Sequence, residues 1–171
     1  MPRVRSFAPI ARRDARVLIV GSMPGVASLA AGRYYAHPQN AFWPIVLPLL
    51  GVAAAASYAE CLRAVRANRI AVWDVLRSCE RAGSGDAAIE PASARVNDFV
   101  TFFARHRRVT AVLCNGGTAH ALFQRRVLPA LGARARALRV VRLPSTSPAN
   151  AGTSRYQKAA AWRRVLAPLL P

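Results

Sequence analysis

Apolar positions alternate along the chain between two rhythms. Four short runs, residues 17–20, 69–73, 109–114 and 138–143, are dense in β-branched and aliphatic side chains. The first, Val17-Leu18-Ile19-Val20, shows no polar alternation, which predicts a strand buried on both faces in a parallel sheet. Between the runs the spacing is helical. Residues 53–67 place Tyr58, Cys61, Leu62 and Val65 on one face. A helix near residues 94–105 is expected to turn Val96, Phe99, Val100 and Phe103 inward, and another runs from Thr118 to about Val127. The last, residues 154–169, is expected to bury Tyr156, Ala160, Val165 and Leu166 and to expose Arg155, Lys158, Arg163 and Arg164. Residues 40–50 read as helix despite their prolines, because Pro44 falls in the first turn and Gly51 ends the segment. The alternation predicts a three-layer α/β/α domain around a four-stranded parallel sheet. Residues 1–15 read as a basic, irregular lead-in and residues 16–171 as one domain, with no repeat and no linker.

The segments beyond three strands are unusual. Residues 21–43 form a long loop shaped by Gly21, Pro24 and Gly25, and it carries Tyr34, Tyr35, His37-Pro38 and Asn40 before Phe42-Trp43. The second strand runs into Asp74 and then a polar loop, residues 77–86. The fourth ends in Pro144-Ser145-Thr146-Ser147-Pro148-Ala149-Asn150. In an open α/β sheet these carboxyl-terminal segments converge, and ligands bind there. A loop as long as 21–43 at that place is functional rather than connective.

Charge narrows the partner. The 171 residues carry 25 basic and 7 acidic side chains, a net charge of +18. All seven acids precede Phe99, and the thirteen basic residues after it meet none. A coding bias explains arginine over the single lysine, Lys158, but not the missing acids. The imbalance calls for a polyanion, nucleic acid first and an acidic membrane surface second. The uncharged, apolar run at residues 41–57 is short and broken by Pro44 and Pro48, so it does not span a bilayer. The amino-terminal charges are not followed by the apolar core of a secretory signal. Cys61, Cys79 and Cys114 have no zinc-like spacing and read as reduced, buried small residues, and His37, His106 and His120 add no ligand cluster. A cytoplasmic protein acting at the nucleoid, without metal or cofactor, is the expectation.

Several chemistries are excluded by pattern. Gly21-Ser-Met-Pro-Gly25 lacks the Gly-Lys-Ser/Thr ending of a phosphate loop. There is no G-x-S-x-G elbow and no zinc-deaminase signature. Asn115-Gly-Gly-Thr118 suits a tight strand-to-helix turn, although a helix start can also receive a phosphate. What remains is aromatic faces, an amide, a strand-end carboxylate and a proline-stiffened hydroxyl loop. That set suits a pocket for a flat polar base, with aromatics to stack and polar groups to read its edge. A base inside a duplex has to be extruded to reach such a pocket.

The stretches GSMPGxxSL (residues 21–29), YYAHPQNAFW (34–43), WDVLxxCxRxGS (73–84) and LPSTSPAN (143–150) resemble the uracil-DNA glycosylase superfamily, over about residues 16–165. Among its branches the sixth, the hypoxanthine-DNA (deoxyinosine) glycosylases, is the most similar. The resemblance implies a four-stranded parallel sheet between helices, a monomer, and monofunctional hydrolysis of an N-glycosidic bond in double-stranded DNA. Sister families place Asp or Asn, which positions the attacking water, where this chain has Met23. The resemblance passes that role to Asn40. It assigns base contacts to Tyr35, which stacks, and Asp74, which reads the edge; Gly21, Met23 and Ser145 are expected beside them at the base, with Ser145 and Ser147 also suited to phosphate or loop-bracing contacts. It sets Ser147, Pro148, Ala149, Asn150 and Arg155 against the DNA. Pro148-Ala149 stand where other branches carry a wedge leucine, so extrusion is expected to rely on pinching and on weakened pairs.

Physical chemistry adds detail. An amide has no useful pKa, so Asn40 can orient a water but not deprotonate it. Backbone N–H groups of residues 21–25 are expected to meet charge on the leaving base. Ionised Asp74 would accept N1–H of hypoxanthine yet oppose that charge, so it is protonated, bonds at a distance, organises the loop or caps its strand. His37 is expected to brace its loop and Tyr34 to join the core. A uracil-, xanthine- or mismatch-specific glycosylase, and a catalytically inactive DNA-binding module that Met23 would allow, are the alternatives. A small-molecule nucleotide hydrolase fits the charge least.

Overall fold

A computed structural model describes residues 1–171. Its strands are β1 (Arg3–Arg5), β2 (Val17–Gly21), β3 (Ile70–Asp74), β4 (Leu76–Glu80), β5 (Arg95–Val96), β6 (Ala111–Asn115) and β7 (Arg139–Leu143). Its helices are α1 (Val26–Ala31), α2 (Phe42–Leu49), α3 (Tyr58–Ala67), α4 (Phe99–Arg105), α5 (Gly117–Leu122) and α6 (Arg155–Leu166). β3, β2, β6 and β7 pair in that order, all parallel, as expected. Every residue of β2 is buried, because the strand is central and both faces are covered. Val17, Ile19, Val72 and Leu113 meet Phe42, Trp162 and Leu166 on one face. Leu18, Val20, Ala71 and Val112 meet Phe99, Phe103 and Phe123 on the other. The four parallel strands run second, first, third, fourth across the sheet, so the chain reverses direction of travel between β2 and β6 and leaves a crevice there.

Local sequence sets the helix ends. α3 and α6 each open on a capping box, Ser57 with Glu60 and Ser154 with Gln157. Pro44 lies in the first turn of α2, where its missing N–H costs nothing. Gly116 (φ 102°) turns β6 into α5, the tight turn expected there.

Four expectations are corrected. Residues 1–15 are not an irregular lead-in: β1 pairs antiparallel with β4, Ile10 bridges Val72, and Ile10 and Ala15 are buried. β4, read as polar loop, joins β1 and β5 in a second, antiparallel sheet. Its polar residues hide the strand because side chains there are shared between a small sheet and solvent. In α4, Asp98 caps the helix at Phe99, so Phe102 turns inward and Val100 is 54% exposed. In α6 the buried line is Lys158, Trp162 and Leu166, while Tyr156 is 83% exposed. A helical period identifies a face but does not say which way it points; the indole bond from Trp162 to Pro144 O (2.9 Å) decides it.

Candidate active site

A cavity of about 460 Å³ opens at the carboxyl ends of the parallel strands. Gly21, Met23, Tyr35, Asn40, Asp74, Ser145, Ser147, Pro148, Ala149 and Asn150 all line it. Arg155 does not; it is exposed at the start of α6.

β2 and β3 build the floor. Gly21 and Asp74 are register partners at the strand ends. Asp74 is 3% exposed, and its Oδ2 has no hydrogen-bond partner. Burial first, then the Asp86 carboxylate, pushes its pKa up to about 7, against a smaller lowering by Arg81. Its acid form is therefore accessible at neutral pH. Met23 packs on Leu76, Cys79 and Ala94 while lining the cavity. Neither Ser22 N–H nor Met23 N–H donates to an acceptor within the chain.

The long loop after β2 supplies the wall. Tyr35 adopts a left-handed backbone (φ 55°), a conformation that a bulky residue keeps only when its surroundings impose it. Its ring stacks on Phe42 (centroids 3.8 Å apart, planes at 21°), so one face is taken by the protein. Its hydroxyl is buried without a partner, and burial followed by the Asp74 charge raises its pKa. Tyr34 is a core residue whose hydroxyl donates to Ala8 O (3.0 Å). His37 braces the loop: Nδ1 accepts from Gln39 N–H (3.1 Å) and its carbonyl accepts from Asn40 N–H (2.9 Å). Asn40 Oδ1 accepts from Phe42 N–H (3.0 Å), which fixes the amide at the start of α2. One lone pair of that oxygen and the NH2 group stay uncommitted.

The loop of residues 144–150 is braced from within. Ser145 Oγ accepts from Ser147 N–H, Ser147 Oγ from Ala149 N–H (3.2 Å each), and Asn150 Nδ2 donates to Ser145 O (3.2 Å). Lys158, which was expected to face solvent, is 5% exposed and donates to Ser147 O (3.1 Å). Burial lowers its pKa. Pro148 and Ala149 form the exposed tip.

Four contributors escaped the sequence reading. Asn115 holds the 144–150 loop with both ends of its amide, donating to Thr146 Oγ1 and accepting from Thr146 N–H (2.9 Å each). Asp86 accepts from Ser22 Oγ (2.7 Å), and Ser84 Oγ accepts from Val26 N–H (2.8 Å), so the 81–89 segment closes over the turn after β2. Arg81 is buried and donates to Pro24 O. The glycines at 83 and 85 were the available signal. No group of three His, Cys, Asp or Glu side chains is placed to hold a metal, and no helix is long and apolar enough to cross a membrane.

The profile of the Uracil DNA glycosylase superfamily matches residues 9–169. Hypoxanthine DNA glycosylase from Methanosarcina barkeri is 31% identical over 113 residues, 66% of this chain and 70% of that protein. Hypoxanthine DNA glycosylase from Methanosarcina acetivorans is 33% identical over 96 residues, 56% of this chain and 60% of that protein. A solution NMR structure of a candidate uracil DNA glycosylase from Methanosarcina acetivorans has a TM-score of 0.81 at 28% identity, covering 98% of this chain and 99% of that one. With the cavity at the strand ends and a family match over nearly its whole length, this chain belongs to the uracil DNA glycosylase superfamily and is, as such, a DNA N-glycosylase.

Proposed function

We propose that this glycosylase removes a deaminated purine, hypoxanthine, from double-stranded DNA by monofunctional hydrolysis. The observation that carries the reading is Asp74: a buried carboxyl, unpartnered at Oδ2, beside a second unpartnered buried group, the Tyr35 hydroxyl. A neutral carboxylic acid offers one donor and one acceptor side by side. Hypoxanthine presents the complement, N1–H and O6. The acid would accept N1–H and donate to O6, where negative charge develops as the glycosidic bond breaks. This removes the conflict that an ionised Asp74 would create. The Ser22 and Met23 N–H groups are further donors toward that charge.

Asn40 acts on the other side of the bond. Its Oδ1 is held by Phe42 N–H, and its remaining lone pair orients a water toward C1′ of the flipped nucleotide. The sugar becomes oxocarbenium-like, and the DNA phosphates stabilise it. Tyr35 stacks on the base with the ring face that Phe42 leaves free. The 144–150 loop, with Pro148 and Ala149 at its tip and Arg155 behind it, presses on the DNA backbone. The two relatives named hypoxanthine DNA glycosylase favour the purine over uracil. Uracil offers the same donor–acceptor pair, so a pyrimidine substrate is the second reading.

The deciding experiment is a panel of duplexes, each with one deoxyinosine, deoxyuridine or deoxyxanthosine, followed by alkaline cleavage. Scission at deoxyinosine only after alkali supports the proposal. Scission at deoxyuridine without scission at deoxyinosine overturns it.

A further inference from the structure

The positive charge of this protein gathers at the end of the sheet away from the cavity. The segments leading into the four parallel strands, residues 12–16, 66–69, 105–108 and 134–139, carry eleven arginines and one acid, Asp14. Because the strands are parallel, all four segments lie along one edge. Main-chain bonds tie them together there: Arg16 N–H donates to Arg69 O (2.8 Å), Thr110 N–H to Arg16 O (3.0 Å), and Arg139 N–H to Thr110 O (2.8 Å). Asp14 is already shared between Arg12 (2.8 Å) and Arg69 (3.8 Å). Arg13, Arg108, Arg136 and Arg139 are exposed and enter no ion pair. Asp74 and Asp86, by contrast, line the cavity.

We propose that this arginine edge is a second DNA-binding surface, which grips the phosphate backbone of another duplex segment without reading its bases. An array of like charges along one edge repels itself, and a polyanion or salt relieves that repulsion. Guanidinium groups, each a bidentate donor to phosphate, are the only charged side chains there besides Asp14. The large exposed apolar side chains are Met1, Val26, Val100 and Tyr156, and none lies in these segments. A protein or membrane partner would need an apolar anchor; a phosphate backbone does not. Five-residue strands hold the edge roughly 16 Å from the cavity, so a straight duplex seated at one cannot rest on the other. One molecule then bridges two segments and can pass between them without release. The proposal does not depend on which base the cavity accepts.

The test uses the full chain and undamaged duplexes carrying donor and acceptor fluorophores. Arg13, Arg108, Arg136 and Arg139 are all changed to Gln; as exposed residues without ion pairs they leave the thermal midpoint within a few degrees. The unaltered protein is expected to show complexes of one protein with two duplexes and energy transfer that disappears in salt. The variant is expected to hold one duplex only, with at least tenfold less energy transfer. Its overall salt dependence should fall by roughly three to four ions, about 0.9 per lost phosphate contact. A one-to-one limit in the unaltered protein, or undiminished bridging by the variant, overturns the proposal. Base release from a deoxyinosine duplex, followed in parallel at saturating protein and low salt, should be equal for both. Its absence from both would count against the hypoxanthine reading alone, since the stoichiometry is read on undamaged DNA.

Discussion

Gly21 and Asp74 end adjacent parallel strands in register, and a β-carbon on Gly21 would stand 2.6 Å from Asp74 Oδ1. No real β-carbon comes that close, so the carboxyl would have to shift. The same β-carbon would lie 3.4 Å from the Tyr35 hydroxyl. Glycine is required here by contact rather than by backbone angle. Gly21→Ala is expected to displace Asp74, lower single-turnover excision at least about 10²-fold and cost about 1–3 kcal/mol in stability. Excision rates and thermal melts check it; an unchanged rate would mean that the carboxyl position is immaterial.

Asp74 also links stability to pH. Its pKa is about 7 in the fold, against an ordinary 3.8. Between those values the folded chain holds a proton that the unfolded chain has released. The resulting stability is complete below the lower value and is lost as pH rises through 7. Above pH 7 the buried charge costs on the order of 4 kcal/mol. Asp74→Asn, which cannot ionise, should therefore gain in melting temperature over the unaltered protein as pH rises from 4 to 8. A constant difference across that range would contradict the assignment. Where the neutral acid donates to the leaving base, excision by the unaltered protein should also decline above pH 7.

Asn40→Ala removes the amide proposed to hold the water. The side chain's only bond inside the protein is from Phe42 N–H, whose loss costs roughly 1 kcal/mol. Excision should fall by about 10²- to 10³-fold, while circular dichroism and duplex affinity stay close to those of the unaltered protein. Near-normal single-turnover rates would remove Asn40 from the chemistry.

Lys158 tests the bracing of the loop of residues 144–150. Lys158→Met keeps the buried stem and removes the donor to Ser147 O. The expected result is a several-fold rise in KM for duplex with little change in kcat, and a stability loss of about 1–2 kcal/mol. A selective fall in kcat would instead place Lys158 in the catalytic step.

Much of the architecture was legible in the chain. The unalternated run at Val17 and its three counterparts marked the parallel strands, since burial on both faces leaves no polar positions. The loops beyond them stood out because glycine, proline and paired aromatics punctuate them. β4 and the amino-terminal strand were not legible, because short antiparallel pairs follow no strict period and their partners are distant: Arg3 pairs with Glu80. Lys158 was misread for a related reason. A lysine on a helix is solvent-facing by default, and only the Ser147 carbonyl, eleven residues away, holds it inside.

The chain by itself determined which segments form the parallel strands, that the partner is a polyanion, and that the loop after Gly21, Asp74 and residues 144–150 meet at one end of the sheet. Those properties follow from composition, period and connectivity, which are local or additive. Only the tertiary structure decided that Asp74 is a buried acid with a free oxygen, that one face of Tyr35 is taken by Phe42, that Asn115 and Asp86 hold the site's loops, and that the arginines gather at the far edge of the sheet. Burial, desolvation and the summed field of charges depend on what packs against a residue, and a sequence does not list its neighbours in space.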